Sequence, residues 1–215
     1  MKKLVVFDLD GTLLDTAESL QICMNLALKE NSLSPITLEQ TRAFVGNGAY
    51  LFSLRACKDE SLAKAVHESF MRIYSAYPTD KVLPFDGIIE VINKLKKQGI
   101  KTAVFSNKPH GATTSICESV FGKNCFDYLL GQIESAPIKP DPYGINKILD
   151  YFNLSVKDTI LIGDGETDAQ TAINSNMDFI GVLWGLRTKQ QLELGGAKIF
   201  AQHPIDLINL IDKEI

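Results

Sequence analysis

The side chains with the clearest capacity for chemistry stand at the ends of apolar runs. Leu4-Val5-Val6-Phe7 leads into Asp8-Leu9-Asp10-Gly11-Thr12. The run reads as a short buried strand, and it stops at two carboxylates one residue apart. Two such groups repel each other unless a cation neutralises them, so the pair points to a divalent metal. A turn or a helix cap would account for one carboxylate and leave the other unexplained. Two later runs end in the same way, Thr102-Ala103-Val104-Phe105 at Ser106-Asn107-Lys108, and Thr159-Ile160-Leu161-Ile162-Gly163 at Asp164-Gly165-Glu166-Thr167-Asp168. Lys139 precedes a predicted helix just before the last of these. Several carboxylates, one hydroxyl, one amide and one ammonium suit a dianionic phosphate held beside Mg²⁺, because hard oxygen ligands select magnesium while the lysine and neutral donors meet the phosphoryl oxygens.

The elements that must bring these residues together can be read from the periodicity. After the first strand, Asp15 to Asn31 has apolar residues at mostly helical spacing, with Asp15 or Thr16 as the cap. Ser34-Pro35 breaks it, Thr37-Leu38-Glu39-Gln40 opens a second helix, and two more follow near Ala49 to Cys57 and Asp59 to Tyr77. This stretch is expected to form an all-helical insert of about four helices, with Pro78 to Pro84 as the return linker. Helix and strand then alternate: helices over Gly87 to Gln98, Gly111 to Phe121, Asp141 to Phe152, from Asp168 to about Ser175, and Ile205 to Asp212; strands over Lys101 to Ser106, Phe126 to Leu130, Thr159 to Gly163 and Phe179 to Leu183. Alternation of this length implies a parallel sheet covered on both faces. In such a sheet the carboxyl ends of the strands share one edge, so Asp8, Ser106 and Asp164 converge on one crevice.

Composition narrows the class. The 215 residues, 45% hydrophobic and 22% charged, fit one large domain or a core with a smaller insert. A net charge of -4 argues against broad electrostatic binding to nucleic acid or an anionic membrane. No apolar stretch has the length of a signal peptide or membrane span. Cys23, Cys57, Cys117 and Cys125 lack the close pairing of a zinc site and read as reduced, mostly buried thiols of a cytoplasmic protein.

The four polar stretches, in this order, resemble the motifs of the haloacid-dehalogenase superfamily of hydrolases. The resemblance spans nearly the whole chain, and the helical insert is similar to that family's cap. It implies a Rossmann-like α/β core over 1–14 and 82–215, with a cap inserted after the first strand over 15–81. It also implies Asp8 as the nucleophile that becomes an aspartyl-phosphate, Asp10 as general acid/base, Ser106 as a phosphoryl-binding hydroxyl beside Asn107, and Lys139 as the cation that screens Asp8. Mg²⁺ would be held by Asp8, the main-chain carbonyl of Asp10, Asp164 and, directly or through water, Asp168. Gly11 and Thr12 would supply close backbone approach and an amide donor.

Within the superfamily, Phe44-Val45-Gly46-Asn47-Gly48-Ala49, Arg55-Ala56, Ser106-Asn107-Lys108-Pro109, Lys139-Pro140-Asp141-Pro142 and Trp184-Gly185-Leu186-Arg187-Thr188 resemble bacterial phosphoglycolate phosphatases. The resemblance implies a small phosphorylated metabolite as substrate, no nucleic-acid or membrane partner, and a monomer or homodimer. Gly46, Asn47 and Gly48 would let backbone amides approach a small anion. Of the basic residues Arg42, Arg55 and Lys108, the favoured contacts to a second anionic group are Arg55 and Lys108. Phe105-Ser106 and Gly165-Glu166-Thr167 depart from the usual pattern, where a small residue with threonine and a sequence ending in Asn are commoner. Sugar-phosphate phosphatases and mutases, 5'-nucleotidases and pyrophosphatases are related alternatives, and a phosphonate-cleaving relative would use Lys58. A phospho-accepting receiver domain is the alternative of a different class, but it needs neither a cap nor Asp10.

Overall fold

The first apolar run forms the centre of the molecule. In the computed structural model, which describes residues 2–77 and 82–212, β1 (Leu4–Phe7) is wholly buried. Its side chains alternate between two cores: Val5 and Phe7 enter one face of the sheet, Leu4 and Val6 the other. Both faces are covered, which is why the run is continuously apolar.

On one side of β1 lie β4 (Lys101–Pro109) and β5 (Tyr128–Gln132); on the other lie β6 (Thr159–Gly163), β7 (Asp178–Val182) and β8 (Phe200–Ala201), giving the order β5-β4-β1-β6-β7-β8. Every pairing in this sheet is parallel. Helices α5 (Ile88–Lys97), α6 (His110–Phe121) and α10 (Asp206–Asp212) pack on the Val5/Phe7 face. Helix α7 (Tyr143–Phe152) presents Ile145, Ile148 and Leu149 to the other, which α8 (Glu166–Asn174) completes with Ala172. Phe7 is in register with Val104 and Ile162. Asp8 is therefore level with Phe105 and Gly163, which brings Asp8, Ser106 and Asp164 to within one residue of the same height.

Helices α1 (Ala17–Glu30), α2 (Leu38–Phe44), α3 (Ala49–Cys57) and α4 (Glu60–Ser75) pack around a separate apolar core that includes Leu20, Met24, Phe52, Val66 and Phe70. The Thr37 signal is realised as a reciprocal cap: Thr37 Oγ1 accepts from the Gln40 amide at 3.1 Å, and Gln40 Oε1 accepts from the Thr37 amide at 2.9 Å. At the start of α1, Thr16 holds the N-cap position but its side chain accepts no capping bond.

Several elements differ from the periodicity reading. Residues 78–81 of the expected return linker lie outside the described residues. Its end, Leu83–Pro84, is instead a strand, β3, paired antiparallel with β2 (Leu14–Asp15), so a ribbon carries the chain into and out of the helical unit. The strand expected to end at Ser106 continues to Pro109, with an irregular register after Phe105. Helix α9 (Lys189–Leu194) and β8 have no counterpart in the expected elements. Among the described residues, no helix is long and apolar enough to cross a membrane. The four cysteines are free thiols, and all but the half-buried Cys125 are buried.

Candidate active site

The cleft between the carboxyl edge of the sheet and the helical unit collects the polar strand ends. Asp8, Asp10, Ser106, Asn107, Lys108, Lys139, Asp164 and Asp168 line it from the core, and Gly46 and Gly48 line it from the α2–α3 loop. Phe52, Phe70, Met71 and Tyr74 add an apolar roof.

Two buried lysines organise the carboxylates. Lys139 is 3% exposed and donates to Asp8 Oδ1 at 2.6 Å, Asp168 Oδ1 at 2.6 Å and the Phe105 carbonyl at 3.0 Å. Its three ammonium protons thus have three acceptors. Lys108 places its ammonium on both oxygens of Asp10, at 2.9 and 3.0 Å, and 4.6 Å from the ring centroid of Tyr74. Burial works to lower the pKa of each lysine, but the neighbouring carboxylates reverse this and hold both above the usual range.

Asp8, Asp164 and Asp168 are all buried and offer carboxylate oxygens within 4.8 Å of one another. Burial pushes Asp8 and Asp164 above the ordinary carboxylate range; Lys139 partly opposes this at Asp8, and the charge of Asp168 reinforces it at Asp164. Three buried carboxylates beside one lysine are short of positive charge, and the hard-oxygen donor set fits a divalent cation. The set is held in place. Asp164 Oδ1 accepts from Thr12 Oγ1 at 3.2 Å and Oδ2 from the Leu186 amide at 2.7 Å, while Asp168 Oδ2 accepts from the Gly165 amide at 3.0 Å. Gly11, at φ +91°, passes so close that a Cβ there would lie 2.3 Å from Asp164 Oδ2.

The remaining residues singled out from the sequence occupy supporting positions. Ser106 Oγ accepts from the Lys108 amide at 3.3 Å. Asn107 is buried and joins three segments, accepting from the Lys139 amide at 2.8 Å and donating to the carbonyls of Lys139 and Gly46 at 3.1 and 3.2 Å. Thr12 does not line the cleft but braces Asp164. Arg55 is also outside the lining, and its guanidinium donates to the Phe44 carbonyl and Asn47 Oδ1, both at 2.9 Å. Asn47 in turn donates to Thr167 Oγ1 at 3.1 Å. Arg55 and Asn47 therefore shape the Gly46–Gly48 loop from behind. Tyr74, Glu166 and Arg187 line the cleft without having been singled out as site residues; Tyr74 reads from sequence as one more apolar position of α4.

A sequence profile described as haloacid dehalogenase-like hydrolase matches residues 5–182. The chain belongs to the haloacid dehalogenase-like hydrolase family. Its curated relatives include phosphoglycolate phosphatases of Caulobacter vibrioides, 31% identical over 94% of this chain and 88% of that protein, and of Cereibacter sphaeroides, 32% identical over 93% of each. Among solved structures, a candidate phosphoglycolate phosphatase from Lactobacillus delbrueckii subsp. bulgaricus superposes with a TM-score of 0.91 at 29% identity, covering 98% of this chain and 99% of that one. A candidate phosphatase from Clostridium acetobutylicum gives 0.89 at 25% identity, covering 98% of each. This family member is an enzyme, a hydrolase of the phosphatase kind.

Proposed function

We propose that the enzyme is a Mg²⁺-dependent phosphatase of small phosphorylated metabolites, with 2-phosphoglycolate as the leading substrate, and that residues 15–81 act as its cap. The observation that carries this reading is the meeting of Asp8, Asp10, Ser106, Lys139, Asp164 and Asp168 in one cleft beneath the helical unit. Asp8, Asp164 and Asp168, with the main-chain carbonyl of Asp10, would hold Mg²⁺, which supplies positive charge against the phosphoryl oxygens.

The chain's own groups perform the transfer. The Asp8 carboxylate attacks phosphorus, forming the Asp8 O–P bond as the P–O bond to the leaving alcohol breaks. Asp10 gives that alkoxide its proton, then takes one from the water that cleaves the aspartyl-phosphate and frees Asp8. Lys108, seated on both oxygens of Asp10, fixes the direction in which the carboxyl faces. Ser106 donates its hydroxyl proton to a phosphoryl oxygen, and Lys139 reduces the repulsion between Asp8 and the incoming dianion.

Substrate size and charge follow from the cleft. It encloses about 80 Å³, the liquid volume of roughly two to three waters at ~30 Å³ each, which favours a compact molecule. Lys108 and Lys139 are already paired with carboxylates. The second anionic group of phosphoglycolate therefore goes to backbone amides of the Gly46–Gly48 loop, held from behind by Arg55. Phosphate release from a panel of phosphorylated metabolites with Mg²⁺, ranked by kcat/KM, tests the assignment. Phosphoglycolate should rank first; no release from any member or from an aryl phosphate would refute the phosphatase mechanism itself.

A further inference from the structure

Arg187 looks like a substrate cation, since it lines the cleft and its side chain is only 9% exposed. Its donors are committed elsewhere. Nε donates to Glu166 Oε2 at 3.0 Å, Nη2 to the Val45 carbonyl at 2.6 Å, and Nη1 to the Arg42 carbonyl. Both carbonyls belong to the carboxyl end of α2, where a helix leaves acceptors unpaired and favours positive charge. A planar guanidinium spans these separated acceptors with one rigid group, and an ammonium cannot.

The loop that carries Arg187 is itself tied to the metal-site residues. The Leu186 amide donates to Asp164 Oδ2 at 2.7 Å, and Trp184 Nε1 donates to the Thr12 carbonyl at 3.0 Å. Glu166 stands between Asp164 and Asp168 in the chain. One short loop thus holds a proposed metal ligand through its backbone and the cap through its arginine. Asn107 to Gly46 and Asn47 to Thr167 are neutral bonds that join the same cap segment to the core. Arg187 is the charged member of the set.

We infer that Arg187 is a positioning residue: it latches the seated cap onto the core and, through Glu166 and the 184–187 loop, couples that seating to the placement of Asp164. It acts on the cap backbone, not on the substrate. The inference rests on reading residues 15–81 as a cap, but its primary test requires no substrate.

The test is amide hydrogen exchange on the full chain with Mg²⁺, comparing wild type with Arg187→Ala, Arg187→Lys and Glu166→Gln. The latch predicts faster exchange over residues 42–48 in both arginine variants, a smaller increase in Glu166→Gln, and no change in β1 or β6. It also predicts that Arg187→Lys fails to rescue, and that kcat/KM falls by a similar factor, roughly tenfold, for phosphoglycolate and for p-nitrophenyl phosphate. Wild-type exchange over 42–48 in Arg187→Lys, or a loss confined to phosphoglycolate and restored by lysine, would overturn the latch in favour of a direct substrate contact. If Arg187→Ala exchanges throughout the core, Glu166→Gln decides: it leaves the guanidinium in place, so unchanged exchange over 42–48 there also overturns the coupling. If wild type turns over neither substrate, the proposed function fails while the exchange result still judges the latch.

Discussion

At the scale of single residues, the cleft assigns different work to groups of the same type. Asp8 and Asp10 are one residue apart, yet Asp8 is held by Lys139 and faces Asp164 and Asp168, while Asp10 is taken up by Lys108. Replacing Asp8 by Asn keeps the shape and removes the proposed nucleophile. Asp8→Asn should lose about 10³-fold or more of kcat, with an unchanged far-ultraviolet circular dichroism spectrum; phosphate release near wild type would remove Asp8 from that role. Arg55 illustrates the opposite case, a cation whose influence is indirect. Because it supports Phe44 and Asn47, Arg55→Ala should raise KM for phosphoglycolate more than for an aryl phosphate, as the loop loses its backing.

At the scale of elements, the sheet and its neighbours set the site through backbone register. Helix α7 comes close enough to β4 that a Cβ on Gly144 would sit 2.3 Å from the ring of Phe105, directly before Ser106. Gly144→Ala should cost about 1–3 kcal/mol of stability by overpacking, seen as a lower melting temperature, and should lower activity by displacing the Ser106 strand end. The strands that carry the chemistry were legible in the sequence because each is a buried run of several residues with an abrupt polar end, as at Phe7-Asp8 and Gly163-Asp164. The two-residue strands β2, β3 and β8 were not, because two residues carry no period and their pairing is decided by partners far along the chain. The roles of Tyr74 and Arg187 were hidden for a related reason. Arg187 bonds backbone carbonyls more than 140 residues away, and a carbonyl leaves no mark in the residue types. The pairing of Lys108 with Asp10 spans 98 positions, so the carboxylate that engages this ammonium could not be read from the residues around it.

At the scale of the whole molecule, the crowding of buried carboxylates predicts a stability that depends on pH and on a bound cation. Burial raises the folded-state pKa of Asp8 and Asp164 above their ordinary values, so the metal-free native state binds more protons than the unfolded chain. The contribution of these groups to stability then falls as pH rises from the ordinary carboxylate range towards neutrality. Melting curves in a chelating buffer should show this loss between pH 5.5 and 7.5, and saturating Mg²⁺ should remove it. At a Mg²⁺ concentration of 100 times Kd the stabilisation is about 2.7 kcal/mol, a rise of about 5–10 °C for a chain of this size. Asp164→Asn should abolish that rise while leaving the metal-free protein at least as stable as wild type at pH 7.5, since one of the three crowded charges is gone. A full Mg²⁺ shift in Asp164→Asn would take Asp164 out of the metal site.

The central position of β1 also governs the order in which the molecule can be completed. Its neighbours β4 and β6 pair with it across about a hundred and about a hundred and fifty residues respectively, and closing loops of that length is slow. The four helices of residues 17–75, with their own apolar core, depend on nearer contacts and can form while β1 still lacks a partner. On a ribosome, Val5 and Phe7 have no strand neighbour until β4 has emerged, and lack the second until Gly163 has. The apolar run that ends in the proposed nucleophile is thus an unpaired, aggregation-prone edge for as long as those strands are missing.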